Sequence, residues 1–327
     1  MPSCNVYSSV VDLGLALVIT PYREPRKKAF LIGIKALDLD GAHEDVKRFR
    51  GLLVDKFDFQ DRDIIMMLDD GVGIQPTKIN IMATLRTFLV GQRPGDLFVF
   101  VFAGHAKQAI CLDGTERDGM DESIITCDDS KDGYITILDD VLNDYLVKPL
   151  SPGCSLVAFL DACHSETLLD LDHHVCNRPA RGRRMVRRLR EFAGFPAPTF
   201  TPGQITTATR FCNGLCSRVD MPGLIPNVIC FSACKDSETV FEAVGHSMLN
   251  TVIRVLEADP SPSLKTLRRT LNESAREIYH KARRSNQRAN KVNDSDESCV
   301  DNLCEVKRWA PQISSMMPLW MDCHLKL

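Results

Sequence analysis

Long apolar segments are missing from this 327-residue sequence, and so is any strong excess of charge of one sign. The apolar stretch at residues 10–19 is too short to span a bilayer, and no basic segment typical of a secretory signal precedes it. The formal net charge of −3 argues against binding to nucleic acid or membranes through overall charge. We therefore expect a monomeric globular protein with neither a membrane nor a nucleic-acid partner.

A regular cysteine framework is also missing, although the chain has thirteen cysteines. Their number is odd, and they are scattered through apolar segments instead of recurring at fixed spacings. We expect most of them to be reduced and to pack as small hydrophobic residues. Reduced cysteines predict an intracellular protein, in the cytoplasm or, as an alternative, also in the nucleus.

Short apolar segments that alternate with helical patterns predict an α/β fold. The apolar segments are residues 29–34, 64–68, 97–102, 155–160 and 228–231, and helical patterns at 44–56 and 76–89 separate the first three. The apolar segments do not alternate with polar residues, which predicts strands covered on both faces. Alternating strands and helices predict a largely parallel sheet whose ligands bind beyond the carboxyl ends of its strands.

Two polar segments, residues 172–225 and 280–308, interrupt this pattern and show no helical or strand period. Both are typical of long loop insertions. We find no internal repeat and no second domain. The sequence therefore predicts one domain over residues 28–327, preceded by a short segment at 1–27.

Polar residues with reactive side chains follow three of the predicted strands. His105 follows the third strand, Cys163 the fourth, and Ser232 and Lys235 the fifth. A helical pattern after Cys163 predicts nearby helix N–H groups, which favour a thiolate. His105 is a better candidate base than the adjacent His164, because neighbouring side chains on a strand point to opposite sides.

A zinc site is an alternative use of the same segment. Its candidate ligands lie close together in the sequence and are Cys163, His164, His173, His174 and Cys176. The usual short spacings between paired Cys or His ligands are not clear in this set, so we rank zinc below a nucleophilic thiol.

The two reactive segments resemble the histidine and cysteine motifs of metacaspases. The histidine motif is GHAKQ at 104–108, and the cysteine motif is DACHSETLLDL at 161–171. Four further segments resemble the same family in the same order. They are AFLIGIKALDLDGAHEDVKRFRGLL at 29–53, RDGMDESIITCDDSKDGYITILDDVLNDYLVKPL at 117–150, NVICFSACKDSETVFEA at 227–243 and PQISSMMPLWMD at 311–322. The nearest group is the fungal-type, or type I, metacaspases.

This resemblance implies a caspase-like three-layer sandwich with a central, mostly parallel mixed sheet between helices. It also implies a calcium-stimulated cysteine endopeptidase that cleaves protein or peptide substrates after Arg or Lys. His105 would be the general base, Cys163 the nucleophile, and Asp45 and Asp161 the acidic floor of the specificity pocket. The calcium positions would be Asp121, Asp139, Asp140 and Asp170.

The residue types suit these roles chemically. A tetrahedral intermediate needs two N–H donors at its oxyanion, and the backbone amides of Ala106 and Cys163 are the candidates. A pocket for a cationic side chain needs buried carboxylates, and calcium needs six to eight oxygen ligands. The alternative interpretation of the aspartate-rich segments is a set of solvated turns.

The sequence departs from the family pattern at four positions near the site. Ala106 replaces a glycine, Ala103 a serine, Ala42 a cysteine, and Glu166 the glycine of the usual CHSG. A carboxylate three residues from the thiol can raise its pKa. A caspase-fold protein without catalysis, acting as a binding scaffold or regulator, is therefore the alternative function.

The basic segment at residues 178–190, RPARGRRMVRRLR, has three interpretations. The first is a solvated insertion. The second is a self-cleavage site of a protease that cuts after Arg, and the third is a nucleic-acid or nuclear-import patch.

Overall fold

The structure is a computed structural model of the 327-residue chain. It describes residues 23–35, 39, 41–111, 119–129, 133–163, 165, 167–177, 212, 216, 223, 225–234, 247–293 and 310–327. The basic segment at 178–190 and the residues Lys235, His164 and Glu166 lie outside the described residues.

Nine strands in the described residues form two sheets. They are β1 (Lys27–Gly33), β2 (Ile64–Leu68), β3 (Leu97–Ala103), β4 (Ala106–Ile110), β5 (Met120–Ile125), β6 (Thr136–Leu138), β7 (Ser155–Asp161), β8 (Asn227–Ser232) and β9 (Gln312–Ser315). The main sheet has the order β2-β1-β3-β7-β8-β9. Only β9 within it runs antiparallel to its neighbour. The predicted mostly parallel mixed sheet is confirmed, and all five predicted apolar segments are strands of it.

Five α-helices in the described part of the chain cover both faces of the main sheet. They are α1 (Ala42–Phe57), α2 (Lys78–Phe88), α3 (Asp139–Leu146), α4 (Met248–Ala258) and α5 (Leu264–Asn293). Side chains of α1, α4 and α5 pack in one hydrophobic core with Leu31 of β1. Side chains of α2 and α3 pack in a second core with Phe30, the preceding residue of the same strand. Successive side chains of a strand point to opposite faces, so the fold is the predicted three-layer sandwich.

No helix among the described residues combines the length and the apolar composition that crossing a membrane would require.

A small antiparallel sheet of order β4-β5-β6 lies next to the main sheet and was not predicted. Its strands have three to six residues and include polar positions such as Lys107, Gln108 and Glu122. Short, mixed segments of this kind do not carry the continuous apolar signal of a buried strand. The small sheet matters for function because β4 begins directly after His105.

The predicted helix directly after Cys163 is wrong. The described residues from Cys163 to Leu171 form bends and a turn, in which the Asp170 N–H donates to the Thr167 carbonyl at 2.6 Å. Asp170 has φ of 46°, a left-handed conformation that a continuing α-helix does not contain. Leu168, Leu169 and Leu171 are all buried, so this segment packs inward as an irregular turn.

The predicted loop at residues 280–308 is wrong for its first part, because α5 continues to Asn293. Lys, Arg, Gln and Ala dominate residues 280–293, and these residues have high helix propensity even without an apolar face. Residues 294–309 lie outside the described residues. Of the predicted insertion at 172–225, the structure describes residues 172–177, 212, 216, 223 and 225.

Candidate active site

The register of β3 and β7 aligns the ends of the two strands that precede His105 and Cys163. The two strands are parallel neighbours, and Ala103, the last residue of β3, aligns with Asp161, the last residue of β7. Hydrogen bonding between the two chain segments continues one residue past the end of β3, because the Gly104 N–H donates to the Asp161 carbonyl at 3.2 Å. His105 lies two residues beyond Ala103, and Cys163 lies two residues beyond Asp161. Both residues are partly exposed.

The turn between β3 and β4 is tightly packed before the histidine. A Cβ atom at Gly104 would lie 2.9 Å from the ring of Phe102, so only glycine fits without displacing that ring. The carbonyl of His105 then accepts a hydrogen bond from the Ile125 N–H at 2.9 Å, which ties the histidine backbone to β5. Both contacts restrict where the imidazole can lie.

The backbone of Ala106 suits its predicted role as an oxyanion donor. Ala106 pairs with Ile124, and the Ile125 N–H to His105 carbonyl bond makes this a pair without hydrogen bonds between its two members. The Ala106 N–H therefore points away from β5, on the outer side of β4. The non-glycine residues with positive φ in the described chain are Asp58 and Asp170, so Ala106 replaces glycine without strain.

Asp161 and Asp45 lie close together in the interior beside Cys163. Asp161 is 1 % exposed and Asp45 is 4 % exposed. Asp161 Oδ2 accepts a hydrogen bond from the Leu249 N–H at 2.6 Å, whereas Asp161 Oδ1 is buried with no hydrogen-bond partner among the described residues. The pKa of Asp161 is raised to about 6. Burial is the main cause, and the charge of Asp45 also contributes.

The first turn of α4 supports this acidic pair and was not predicted. The Ser247 hydroxyl donates to Asp45 and accepts from the Asn250 N–H at 2.9 Å as the helix N-cap. Asn250 Nδ2 donates to Asp45 Oδ1 at 3.1 Å. Free N–H groups and the helix dipole stabilise carboxylates at this end of a helix. The serine before an amphipathic stretch was a signal for the cap, but not for its contact with α1.

Three of the four predicted calcium positions, Asp121, Asp139 and Asp140, lie around the start of α3. Asp139 is 1 % exposed, and its carboxylate accepts from the Glu122 N–H at 2.7 Å and the Asp140 N–H at 2.8 Å. Burial raises the pKa of Asp139 to about 6, and the charges of Asp121 and Asp140 add to this. The pKa of Lys148 is raised by its hydrogen bond to Asp144 and also by Asp140 and Asp170. Asp121, Asp139 and Asp140 thus interact with one another, whereas Asp170 is linked to Asp140 only through Lys148.

These aspartates do not form a closed ligand cluster. In the described chain, a single group of three or more His, Cys, Asp or Glu residues has all its ligand atoms within 4.8 Å of one another, and it is His173, Cys176, Cys212 and Cys216. Two of its members, His173 and Cys176, belong to the predicted zinc alternative, and Cys163 and His174 do not take part. The spacings that the sequence analysis overlooked are two residues between His173 and Cys176 and three between Cys212 and Cys216.

Comparison with known proteins identifies the family. The family model for the metacaspase peptidase C14 domain matches residues 27–172, which contain β1 to β7 and both reactive residues. The chain belongs to the metacaspase family. Metacaspase-1 of Yarrowia lipolytica is 32% identical over 281 residues, which are 78% of this chain and 60% of that protein. Metacaspase-1 of Scheffersomyces stipitis is 32% identical over 269 residues, or 74% of this chain and 66% of that protein.

Metacaspase-1A of Neurospora crassa is 38% identical over a shorter range of 154 residues, which is 45% of this chain and 34% of that protein. The chain thus spans 60% to 66% of the length of the first two fungal relatives. The metacaspase match confirms the predicted fold class, and the mixed sheet between helices is the caspase-like architecture expected of it.

The buried Asp161 in this metacaspase fold predicts a pH-dependent cost in stability. Its folded pKa of about 6 lies above its ordinary value of 3.8, so folding favours the protonated acid. Wild-type stability should therefore fall as the pH rises from about 4 to about 6, by about 3 kcal/mol from this group, and stay reduced above it. Asp161→Asn cannot ionise, so its melting temperature relative to wild type should be higher at pH 7.5 than at pH 4.5.

Thermal unfolding of wild type and Asp161→Asn at the two pH values measures this difference. Any pH-independent effect of the asparagine side chain on the melting temperature is the same at both pH values and cancels. Asp55→Asn, an exposed change on α1, serves as the control and should show no such dependence. An equal effect of Asp161→Asn at both pH values would show that Asp161 does not titrate in this range.

Proposed function

We propose that the protein is a cysteine endopeptidase that cleaves after Arg or Lys and uses His105 and Cys163 as a catalytic dyad. Family membership supports a peptidase, and the aligned ends of β3 and β7 support the dyad. The preference for Arg or Lys is supported by one observation above all. Beside the cysteine, the interior holds two carboxylates, and Asp161 Oδ1 has no hydrogen-bond partner among the described residues.

A cationic side chain supplies what this pocket lacks. Buried carboxylates are costly unless a counter-charge or hydrogen-bond donors compensate them. The first turn of α4 compensates Asp45 and one oxygen of Asp161. An arginine guanidinium can donate to the remaining oxygen and to Asp45 at once, whereas a lysine ammonium binds as a point charge. We therefore expect Arg to be preferred to Lys.

The chemistry proposed for this dyad is acyl transfer through a thioester. His105 takes the thiol proton of Cys163, and the sulfur attacks the carbonyl carbon of the residue held in the pocket. The N–H groups of Ala106 and Cys163 donate to the oxyanion that forms. The imidazolium then protonates the leaving amine as the C–N bond breaks, and water hydrolyses the resulting thioester.

Substitution of the dyad tests peptidase activity directly. Cys163→Ala and His105→Ala should each lower kcat on Arg-containing fluorogenic peptides by at least about a thousand-fold, because attack needs the thiolate. Circular dichroism should show an unchanged fold. The exposed Cys323→Ala is the matched control and should keep full activity. Wild-type protein that cleaves no peptide under any calcium concentration would instead favour the scaffold function.

Substitution of the pocket tests the specificity separately. Asp45→Asn removes one charge, so kcat/KM for Arg substrates should fall about ten- to a hundred-fold, the worth of one charge-assisted contact. Cleavage of peptides with Leu or Asp before the cut should stay negligible. Glu44→Gln, the exposed neighbour on α1, should change kcat/KM little. Efficient wild-type cleavage after Asp would overturn the pocket assignment.

We also propose that calcium stimulates the activity through the aspartates around α3. Asp121, Asp139, Asp140 and Asp170 would supply the carboxylate oxygens that a hard cation prefers. Burial is the largest cause of the raised pKa of Asp139, and the charges of Asp121 and Asp140 add to it, so a divalent cation beside these three groups would offset like charge. The aspartates offer the hard oxygen ligands that calcium takes, but no three of them have ligand atoms within 4.8 Å of one another, so calcium binding would have to draw them together. Bound calcium would supply positive charge here, and the aspartates would hold the start of α3 against β5.

Asp121→Asn and Asp140→Asn test the calcium site better than a change of Asp139, whose carboxylate also accepts two backbone N–H groups. Each change should raise the calcium concentration for half-maximal turnover by roughly tenfold, because affinity depends on ligand charge. Asp55→Asn, an exposed change on α1, is the control and should leave this concentration unchanged. Wild-type activity that is independent of calcium would remove the site from the account.

A further inference from the structure

A compact group of one imidazole and three thiols lies away from the predicted dyad and from the calcium positions. The ligand atoms of His173, Cys176, Cys212 and Cys216 all lie within 4.8 Å of one another. Cys212 Sγ and Cys216 Sγ are 3.4 Å apart, and Cys176 Sγ is 3.7 Å from His173 Nδ1. All four residues are buried or partly buried.

These separations suit one tetrahedral metal ion. Zinc bonds of about 2.3 Å to sulfur and about 2.0–2.1 Å to nitrogen place neighbouring sulfurs roughly 3.8 Å apart and sulfur and nitrogen roughly 3.6 Å apart. A disulfide would require about 2.05 Å between two sulfurs, whereas Cys212 Sγ and Cys216 Sγ are 3.4 Å apart. Three thiolates and an imidazole are soft ligands that select zinc over calcium or magnesium.

The surrounding hydrogen bonds hold half of the group in place. The His173 N–H donates to the Ser315 carbonyl at 3.0 Å, and the Ser315 N–H donates to the His173 carbonyl at 3.1 Å, so the histidine backbone is bound to β9 at the edge of the main sheet. The buried Asn177 donates to the His173 carbonyl at 2.6 Å and to Ser315 Oγ at 2.8 Å. Such outer contacts orient metal ligands.

A backbone hydrogen bond also joins the two halves of the group. The Cys176 N–H donates to Cys212 Sγ at 3.2 Å, a contact that stabilises negative charge on the sulfur. In the sequence, His173 and Cys176 form one short pair and Cys212 and Cys216 form another, with 35 residues between Cys176 and Cys212. Two short ligand pairs joined by a longer segment are typical of structural zinc sites.

We infer that His173, Cys176, Cys212 and Cys216 bind one structural zinc ion, which joins Cys212 and Cys216 to His173 and Cys176 beside β9. All four coordination positions are filled by protein ligands, which distinguishes a structural zinc site from a catalytic one. A metal that closes a long loop stabilises the folded state by removing conformational freedom from the unfolded chain. The ion would thus hold the two ends of the segment that contains the basic residues 178–190.

Metal analysis tests this site. Protein purified under reducing conditions from zinc-supplemented medium should contain about one zinc per chain, and so should Cys163→Ala and the exposed control Cys323→Ser. Cys212→Ser and Cys216→Ser should each lose most of the zinc. Cobalt-substituted wild type should show thiolate charge-transfer and tetrahedral ligand-field absorption. Equal zinc content in wild type and in both ligand variants, or a wild type without zinc, would overturn the inference.

Thiol labelling of the wild type gives a test that needs no variant to fold. Iodoacetamide followed by mass spectrometry should label Cys323 at the same rate with and without a zinc chelator. Cys176, Cys212 and Cys216 should be labelled at least about tenfold faster when the chelator is present, because bound zinc protects its thiolates. Equal rates for these three cysteines in both conditions, or an intact disulfide between two of them, would contradict the zinc site. Neither test depends on peptidase activity.

Discussion

The parallel alignment of β3 with β7 is the constraint on which the candidate site depends. Hydrogen bonding sets Ala103 opposite Asp161, so the two segments that follow start from aligned strand ends. His105 and Cys163 thereby leave neighbouring strands at the same height, although 57 residues separate them in the sequence. A slip of one residue would move the side chains of β7 from one hydrophobic core to the other, so the packing of the two cores maintains this register.

The same alignment buries a carboxylate at a cost that substrate binding would repay. Asp161 lies at the last position of β7, next to Asp45 from α1. The Leu249 N–H of α4 donates to Asp161, and the side chains of Ser247 and Asn250 donate to Asp45. These donors compensate the pair only partly, since one oxygen of Asp161 has no described partner. Such local destabilisation at a site is typical of a pocket that a charged ligand completes.

Much of the fold and part of the site could be predicted from the sequence because the signals are local. The main-sheet strands are continuous apolar segments, and polar residues at their carboxyl ends indicated His105 and Cys163. The support of Asp45 by Ser247 could not be predicted, because it is a long-range contact with no local signal. The pairing of Cys176 with Cys212 was missed because residues 172–225 have no period. The prediction of a helix after Cys163 is wrong because the buried leucines of this segment pack inward in an irregular turn.

The central claim is that Cys163 is the one nucleophile beside a pocket for a cationic side chain. Labelling with a peptidyl arginine chloromethyl ketone tests it most directly, because the chain offers many other free thiols for comparison. The account predicts one adduct per chain, on Cys163, formed at least about tenfold faster than with the otherwise identical leucine compound. Labelling of another cysteine first, or equal rates for the arginine and leucine compounds, would contradict it.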